Sequence, residues 1–241
     1  MKKQIILPIA LSLLCSCGGN NAGKKTETKQ EKNESKQEVT RTPLNVPGSF
    51  NQITSLGGIN IVYTQGDYNF EVEGDSVAIS HIKADVESGI LSLYVSSDNN
   101  PELNAYGNKL NITAYISSPD LKCVALCSTG DFTSRGTWKE QSIELGVIGS
   151  GSFDLDSVEC DIFKYEATGD GNATFKHINS TEDITITCMG NSDVEADINT
   201  GLISATTQKG KLHLTGKAGK KDIIATSRTL VRDEVRKTIN N

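Results

Sequence analysis

Ile143-Glu-Leu-Gly-Val147, Phe163-Lys-Tyr-Glu-Ala167 and Ile184-Thr-Ile-Thr-Cys188 decide how this chain reads. In each, apolar residues alternate with outward ones such as Glu144, Lys164, Glu166, Thr185 and Thr187, the period of a half-buried strand. The unit recurs as Cys123-Val-Ala-Leu-Cys127, Ile203-Ser-Ala-Thr-Thr207 and Ile223-Ile-Ala225, and the six first residues step by 20, 20, 21, 19 and 20. Small or polar turns follow most units, among them Gly149-Ser-Gly-Ser-Phe153, Gly169-Asp-Gly-Asn-Ala173 and Gly190-Asn-Ser-Asp-Val194. A second apolar position then returns at Phe132, Phe153, Ala173, Val194 and Leu212. A fixed period of this size is the mark of a solenoid. The expectation is an all-β fold, a right-handed parallel β-helix of roughly twenty-residue rungs over 121–228. Its interior ladders are Ile143, Phe163, Ile184, Ile203, Ile223 and Val147, Ala167, Cys188. The Gly, Asn and Asp at its corners are expected to supply left-handed backbone.

Outward from the repeat, residues 48–120 also alternate, less regularly, in Gly57–Tyr63, Asn69–Glu73, Ile90–Val95 and Asn111–Ile116. This N-terminal β portion is expected to start the stack and cover its first edge. In 229–241, Leu230, Val231 and Val235 have helix-like spacing, which predicts a short capping helix or a fraying tail.

Residues 1–17 read as a targeting segment. Lys2 and Lys3 precede the apolar run Ile5–Leu14, too short for the ~20 residues of a bilayer span. Leu14-Cys15-Ser16-Cys17 resembles the bacterial lipobox, with Ser16 as the small residue before the acylated Cys17. The alternative is a plain secretory signal with incidental cysteines. Residues 18–47 read as a disordered polar tether: Lys24–Glu38 has no aromatic or branched aliphatic residue, and five Lys face four Glu. The chain is expected on the outer membrane, held by lipid, on its periplasmic or cell-surface side. No acidic run follows Cys17 to choose between those sides.

Charge is uneven. Residues 48–206 carry 7 Lys and Arg against 23 Asp and Glu, a net of −16, whereas 207–241 carry 9 against 3, a net of +6. The acidic body argues against nucleic acid. The basic end reads as a solvated cap, or as a surface for anionic glycans or lipid headgroups. Four cysteines remain beyond the lipobox: Cys123, Cys127, Cys160 and Cys188. Counting by twenties puts Cys127 and Cys188 in one column three rungs apart, about 14 Å at ~4.8 Å per rung and beyond disulfide reach. All four read as small buried hydrophobes, and none has zinc spacing.

Phe50, the run Gly57-Gly-Ile-Asn-Ile-Val-Tyr-Thr-Gln-Gly66, Gly89-Ile-Leu-Ser-Leu93, Ser118-Pro-Asp-Leu121 and the glycine-rich units are similar, in that order, to the head GIN domain family of auto-transporter-type adhesins. Its members are typically exported lipoproteins of Bacteroidetes-type bacteria. The Gly-Ile-Asn is present at 58–60, and the resemblance covers roughly 48–228. It implies a right-handed parallel β-helix and brings no catalytic motif. One departure is Ser192, which stands where neighbouring turns carry a second glycine.

Three functions follow as expectations. The first is a non-catalytic envelope lipoprotein presenting polar ladders to an envelope or host glycan or protein. The second is a polysaccharide-acting enzyme. Its best acids are Asp154 and Asp156, with Asp131, Asp170 and Asp193 in nearby turns, where Asp commonly caps its own backbone. His81, His177 and His213 share no column, and no Gly-x-Ser-x-Gly elbow is present. The third is a Ca²⁺-binding solenoid, after Gly169-Asp-Gly-Asn172, although such rolls repeat every nine residues. The first is preferred, with no catalytic residue, no cofactor, no metal and Cys17 as the one site.

Overall fold

The computed structural model describes residues 41–46, 48–74, 76–96 and 111–238. Cys17, the lipobox and most of the tether lie outside them. The fold is all-β. Its strands are β1 (Arg41–Pro43), β2 (Gln52–Leu56), β3 (Asn60–Gln65), β4 (Asn69–Gly74), β5 (Ile82–Glu87), β6 (Ile90–Val95) and β7 (Ile112–Ser118). They continue with β8 (Cys123–Leu126), β9 (Phe132–Lys139), β10 (Ser142–Gly149), β11 (Ser152–Gly169), β12 (Asn172–Ala225), β13 (Thr229–Asp233) and β14 (Arg236–Lys237). Among the described residues one short helix, α1 (Ser76–Ser80), lies between β4 and β5.

All fourteen strands join one mixed sheet. In the repeat region the pairing is parallel, with Ile143 against Phe163, Phe163 against Ile184, Phe132 against Phe153 and Phe153 against Ala173. One row runs β6–β2–β8–β10 into the second half of β11, and another runs β7–β3–β9 into its first half. β12 continues the stack on itself: a Cβ at Gly210 would lie 2.2 Å from the Ser192 carbonyl oxygen. At the N-terminal edges the sheet turns antiparallel, with β5 on β6, β4 on β7 and β1 on β4.

The inward side chains of the two rows meet. The Phe153 ring lies 5.9 Å from Tyr165, and Phe175 lies 5.1 Å from Phe163 and 5.3 Å from Tyr165. Tyr63, Phe132 and Trp138 continue the aromatic core toward the N-terminus. Each such side chain contributes about 1.5–3 kcal/mol of burial free energy. Two of the polar ends are satisfied, Tyr63 Oη donating to the Ser118 carbonyl at 3.0 Å and Trp138 Nε1 to the Leu121 carbonyl at 2.9 Å, whereas Tyr165 Oη is buried without a hydrogen-bond partner. Burial pushes the Tyr63 hydroxyl up to about 12.

Four details differ from the sequence reading. First, the step from Val124 to its partner Leu145 is twenty-one residues, so counting by twenties misplaces β8 by one position. A slip of one exchanges the two faces of a strand. Val124 and Leu126 therefore point inward, while Cys123 and Cys127 are half-buried on the outer side. Cys160 and Cys188 are buried, and burial pushes their thiols up to about 12 and about 11. All four are free thiols. Second, 229–238 forms no helix: β13 and β14 extend the parallel stack against Gly210–Leu214 and Lys217–Ala218. Leu230 and Val231 are exposed, and Val235 is the residue that turns inward. Third, Arg41–Pro43, assigned to the tether, pairs with β4, and Leu44 and Val46 pack on the core.

Fourth, the corner Asn and Asp residues do not adopt left-handed backbone; among the described residues the one non-glycine with positive φ is Ser88. Gly149, Gly169 and Gly210 do adopt it, at φ of 127°, 118° and 89°. Ser192 needs no such conformation and sits fully buried, its Oγ 3.5 Å from the Gly169 carbonyl oxygen.

Candidate functional site

The Gly-Ile-Asn motif lies on the corner where the second row begins. Ile59 is buried, and its carbonyl packs so closely under Gly130 that a Cβ there would lie 2.1 Å away. Asn60 Oδ1 accepts the Asp131 backbone N–H at 3.2 Å. Asp131 Oδ1 accepts the Ser152 N–H at 3.1 Å and its hydroxyl at 2.7 Å. Farther along, Asn172 Oδ1 accepts from Asp193 N at 2.9 Å and Asp193 Oδ1 from Lys211 N at 2.9 Å. The corner Asx side chains thus bond backbone N–H groups of the neighbouring strand rather than of their own turn. Asn60, Asp131 and Asp193 hold corners together.

Asp154 and Asp156 are brought together on the outer face, and a cation sits between them. Lys176 Nζ lies 3.1 Å from Asp154 and 2.8 Å from Asp156, and Arg135 approaches Asp156 at 3.8 Å. The hydrogen bond from Lys176 holds the Asp156 carboxyl below its ordinary value of 3.8, although partial burial opposes it. A general acid requires the opposite shift. Asp170 is exposed at a corner. His177 Nδ1 meets Asp197 at 2.9 Å, His213 lies 3.6 Å from Glu195, and His81 is remote in sequence and row. Among the described residues, no three His, Cys, Asp or Glu side chains are placed to hold a metal ion.

A cavity of about 410 Å³ opens at the N-terminal edge. The strap Pro43–Val46 forms one wall, and Phe50, Tyr68, Asn69 and Ser117 form much of the rest. The strap is fixed by Leu44 N donating to the Phe70 carbonyl at 3.0 Å, and by Arg41, whose guanidinium lies 3.8 Å from the Tyr115 ring centre and 2.9 Å from Glu73. Phe50 and Tyr68 meet edge to face, 5.6 Å apart at 66°. The Tyr68 hydroxyl lies 3.1 Å from Asp120 Oδ1 and 3.3 Å from the Phe50 carbonyl oxygen. Desolvation, then the Asp120 carboxylate, raises its pKa. The result is a half-exposed aromatic ring with fixed orientation, flanked by an amide, a hydroxyl and a carboxylate. Such a wall takes a sugar ring or an amphipathic side chain. Sequence reasoning noted Phe50 and missed the other walls. Tyr68 follows Gly66-Asp67 and reads as a turn, and Leu44 and Val46 follow the polar segment.

Residues 49–197, the span that holds the motif, the corner ladder and Tyr68, match the family described as putative auto-transporter adhesin, head GIN domain. The chain belongs to that family. Its fold is similar to crystal structures of a putative adhesin from Bacteroides fragilis (17% identity, TM-score 0.62, covering 83% of this chain and 98% of that one). It also resembles a putative lipid binding protein from Parabacteroides distasonis (15%, 0.52, 85% and 98%). A putative adhesin from the same species is a third (17%, 0.51, 81% and 97%). At these identities the likeness is one of fold. No curated protein matches the chain.

Proposed function

We propose that this head GIN domain protein is a non-catalytic envelope lipoprotein. In this reading Cys17 is acylated and the chain is held on the outer membrane, on its periplasmic or cell-surface side. Residues 18–40 act as a tether, and the stacked strands wind as a right-handed parallel β-helix that binds a glycan or protein. The observation that carries the binding role is the Phe50–Tyr68 cavity: an aromatic wall fixed by a strap, with polar groups at its rim. A ligand stacking on Tyr68 buries apolar ring surface while Asn69 and Ser117 take its polar edge. Against catalysis, Asp154 and Asp156 share Lys176, so neither is poised as an acid or a nucleophile.

A glycan array probed with the Cys17→Ala chain tests this. Hits that Tyr68→Ala abolishes, and that release no new reducing ends, support it. Hits indifferent to Tyr68→Ala, or cleaved on incubation, overturn it. Radiolabelled palmitate that enters the wild type and not Cys17→Ala supports the anchor, and equal labelling of both removes it.

A further inference from the structure

Where fully charged side chains are register partners on separate strands, they are opposite in sign: Arg41 with Glu73, Lys139 with Glu159, and Glu144 with Lys164. Lys217 and Arg236 break this rule. They are direct register partners between β12 and β14, and both are cations. Like charges directly opposite destabilise a sheet. Among the described residues no carboxylate pairs with either one, although Asp233 and Glu234 nearby are taken by Lys221 and Arg232.

The column they end has its own logic. Lys139 and Glu159 close on each other at 2.7 Å, and Glu159 is the register partner of Asn179. Asn199 Nδ2 then donates to Asn179 Oδ1 at 3.2 Å. The eighteen-residue offset that sets Gly216 over Ile198 and Gly219 over Gly201 puts Lys217 over Asn199. The column thus passes from a closed ion pair to a closed amide pair to an open pair of cations. A cleft of about 260 Å³ lies beside them, lined by His177, Asn179, Asp197, Asn199, Lys217 and Arg236. Asp197, which shares the cleft, is hydrogen-bonded by His177 at 2.9 Å and by the Thr215 hydroxyl at 3.0 Å and forms no ion pair with Lys217 or Arg236. The volume is just below the ~300–1,000 Å³ of small-molecule sites.

We infer that this cleft binds an acidic sugar, its carboxylate or sulfate seated between Lys217 and Arg236 and its hydroxyls against Asn179 and Asn199. An anion there removes the like-charge repulsion and gains two charge-assisted hydrogen-bonding partners. The amide atoms outside that pair, Asn179 Nδ2 and Asn199 Oδ1, favour a sugar over a bilayer, as does the absence from the cleft lining of an exposed large apolar side chain to enter lipid. This inference rests on the binding role proposed above and adds a second, charge-selective subsite at the other end of the stack.

Calorimetric titration of the full chain in neutral detergent, with trigalacturonate and with a sulfated chondroitin disaccharide, tests it against maltotriose as neutral control. Binding of at least one acidic sugar is expected, weakened about tenfold or more by Lys217→Gln or Arg236→Gln. Lys209→Gln and Arg228→Gln, the same charge change elsewhere on the basic end, are expected to leave it nearly unchanged. Equal loss in all four variants overturns the site in favour of diffuse attraction. Binding of phosphatidylglycerol vesicles alone, with neither sugar, overturns it in favour of a membrane contact, and no binding at all overturns it outright. Lys217→Glu supplies a readout free of ligand: it pairs with Arg236, abolishes sugar binding and raises the melting midpoint by about 1–3 °C. A lowered midpoint overturns the repulsion on which the inference stands. Array hits lost in Tyr68→Ala are a separate result, so failure of this cleft leaves the aromatic cavity standing, and failure of the cavity leaves this cleft.

Discussion

The two ends of the stack are closed by different means. At the N-terminal end the chain reverses: β5 runs antiparallel to β6, and β4 and β1 run antiparallel beyond β7. Apolar groups from outside the repeat then seal the core, with Phe50 and Ala78 buried and Leu44, Val46 and Ile79 packed against it. At the C-terminal end the repeat simply continues, parallel, through β13 and β14 until its side chains turn charged. Val235 is its buried plug, and Lys221 Nζ clamps Asp233 at 2.7 Å and the Val235 carbonyl at 3.0 Å. One end is covered by a change of direction, the other protected by charge, and both are recognised ways to manage a sheet edge. The basic end is therefore partly explained by edge protection. The Lys217–Arg236 stack is the part that protection does not require.

The regular middle should be far less forgiving than either end. Gly190 lies where a Cβ would meet the Gly169 carbonyl oxygen at 1.9 Å, backbone that has nowhere to move. Gly190→Val is expected to cost more than about 4 kcal/mol or to prevent folding, read by urea denaturation. Gly146→Ala, with nothing within 4 Å, is expected to be near neutral. Similar losses in both would mean that rungs are not tightly stacked at the corners.

Core truncation sharpens the contrast by degree. Phe163→Ala opens the centre of the Phe163–Phe175 contact and is expected to cost about 3–5 kcal/mol. Val235→Ala, at the charged end, loses about 1.5 kcal/mol from two methyl groups. In native-state hydrogen exchange, amides of β13 and β14 should open well before those of β10 and β11. Uniform exchange would show that the last rung is as cooperative as the middle.

What the sequence made legible follows from the same contrast. Where side chains repeat, period two and period twenty are one statement, and Phe132, Phe153, Ala173, Val194 and Leu212 are all buried as the spacing requires. Where a single insertion intervenes, as between β8 and β10, the phase is lost and two cysteines change sides. The ends escape the pattern altogether. A strand that caps a stack need only satisfy one neighbour, so β1 and β13 carry little alternation of their own. The cavity was illegible for a related reason: Leu44, Phe50 and Tyr68 are brought together by strand reversal, and no spacing encodes that.

The corner ladder predicts a smaller effect that tests whether Asn60 joins the irregular N-terminal part to the repeat. Its Oδ1 accepts the Asp131 N–H in a half-buried setting, so Asn60→Ala should cost about 1–2 kcal/mol. Asn60→Asp keeps the acceptor and should cost less. An equal loss would assign the effect to packing instead.

The smallest expected effect is electrostatic, and its sign is fixed by the direction of the shift. Lys176 holds Asp156 below its ordinary 3.8 in the folded chain, with burial opposing. The folded protein therefore binds that proton less readily than the unfolded chain. The resulting stabilisation is fully present above the unfolded value, and it is lost as pH falls through the lower folded value. Because Lys176 is exposed and Asp156 only half-buried, the pair is screened and its worth is small. Asp156→Asn should flatten the acid limb of the stability curve below about pH 4 slightly and leave neutral stability almost unchanged. If the variant instead lost substantial stability at neutral pH, the Lys176 cluster would be structural to the outer face. The contrast between a rigid interior and an adaptable surface would then have to be redrawn at that face.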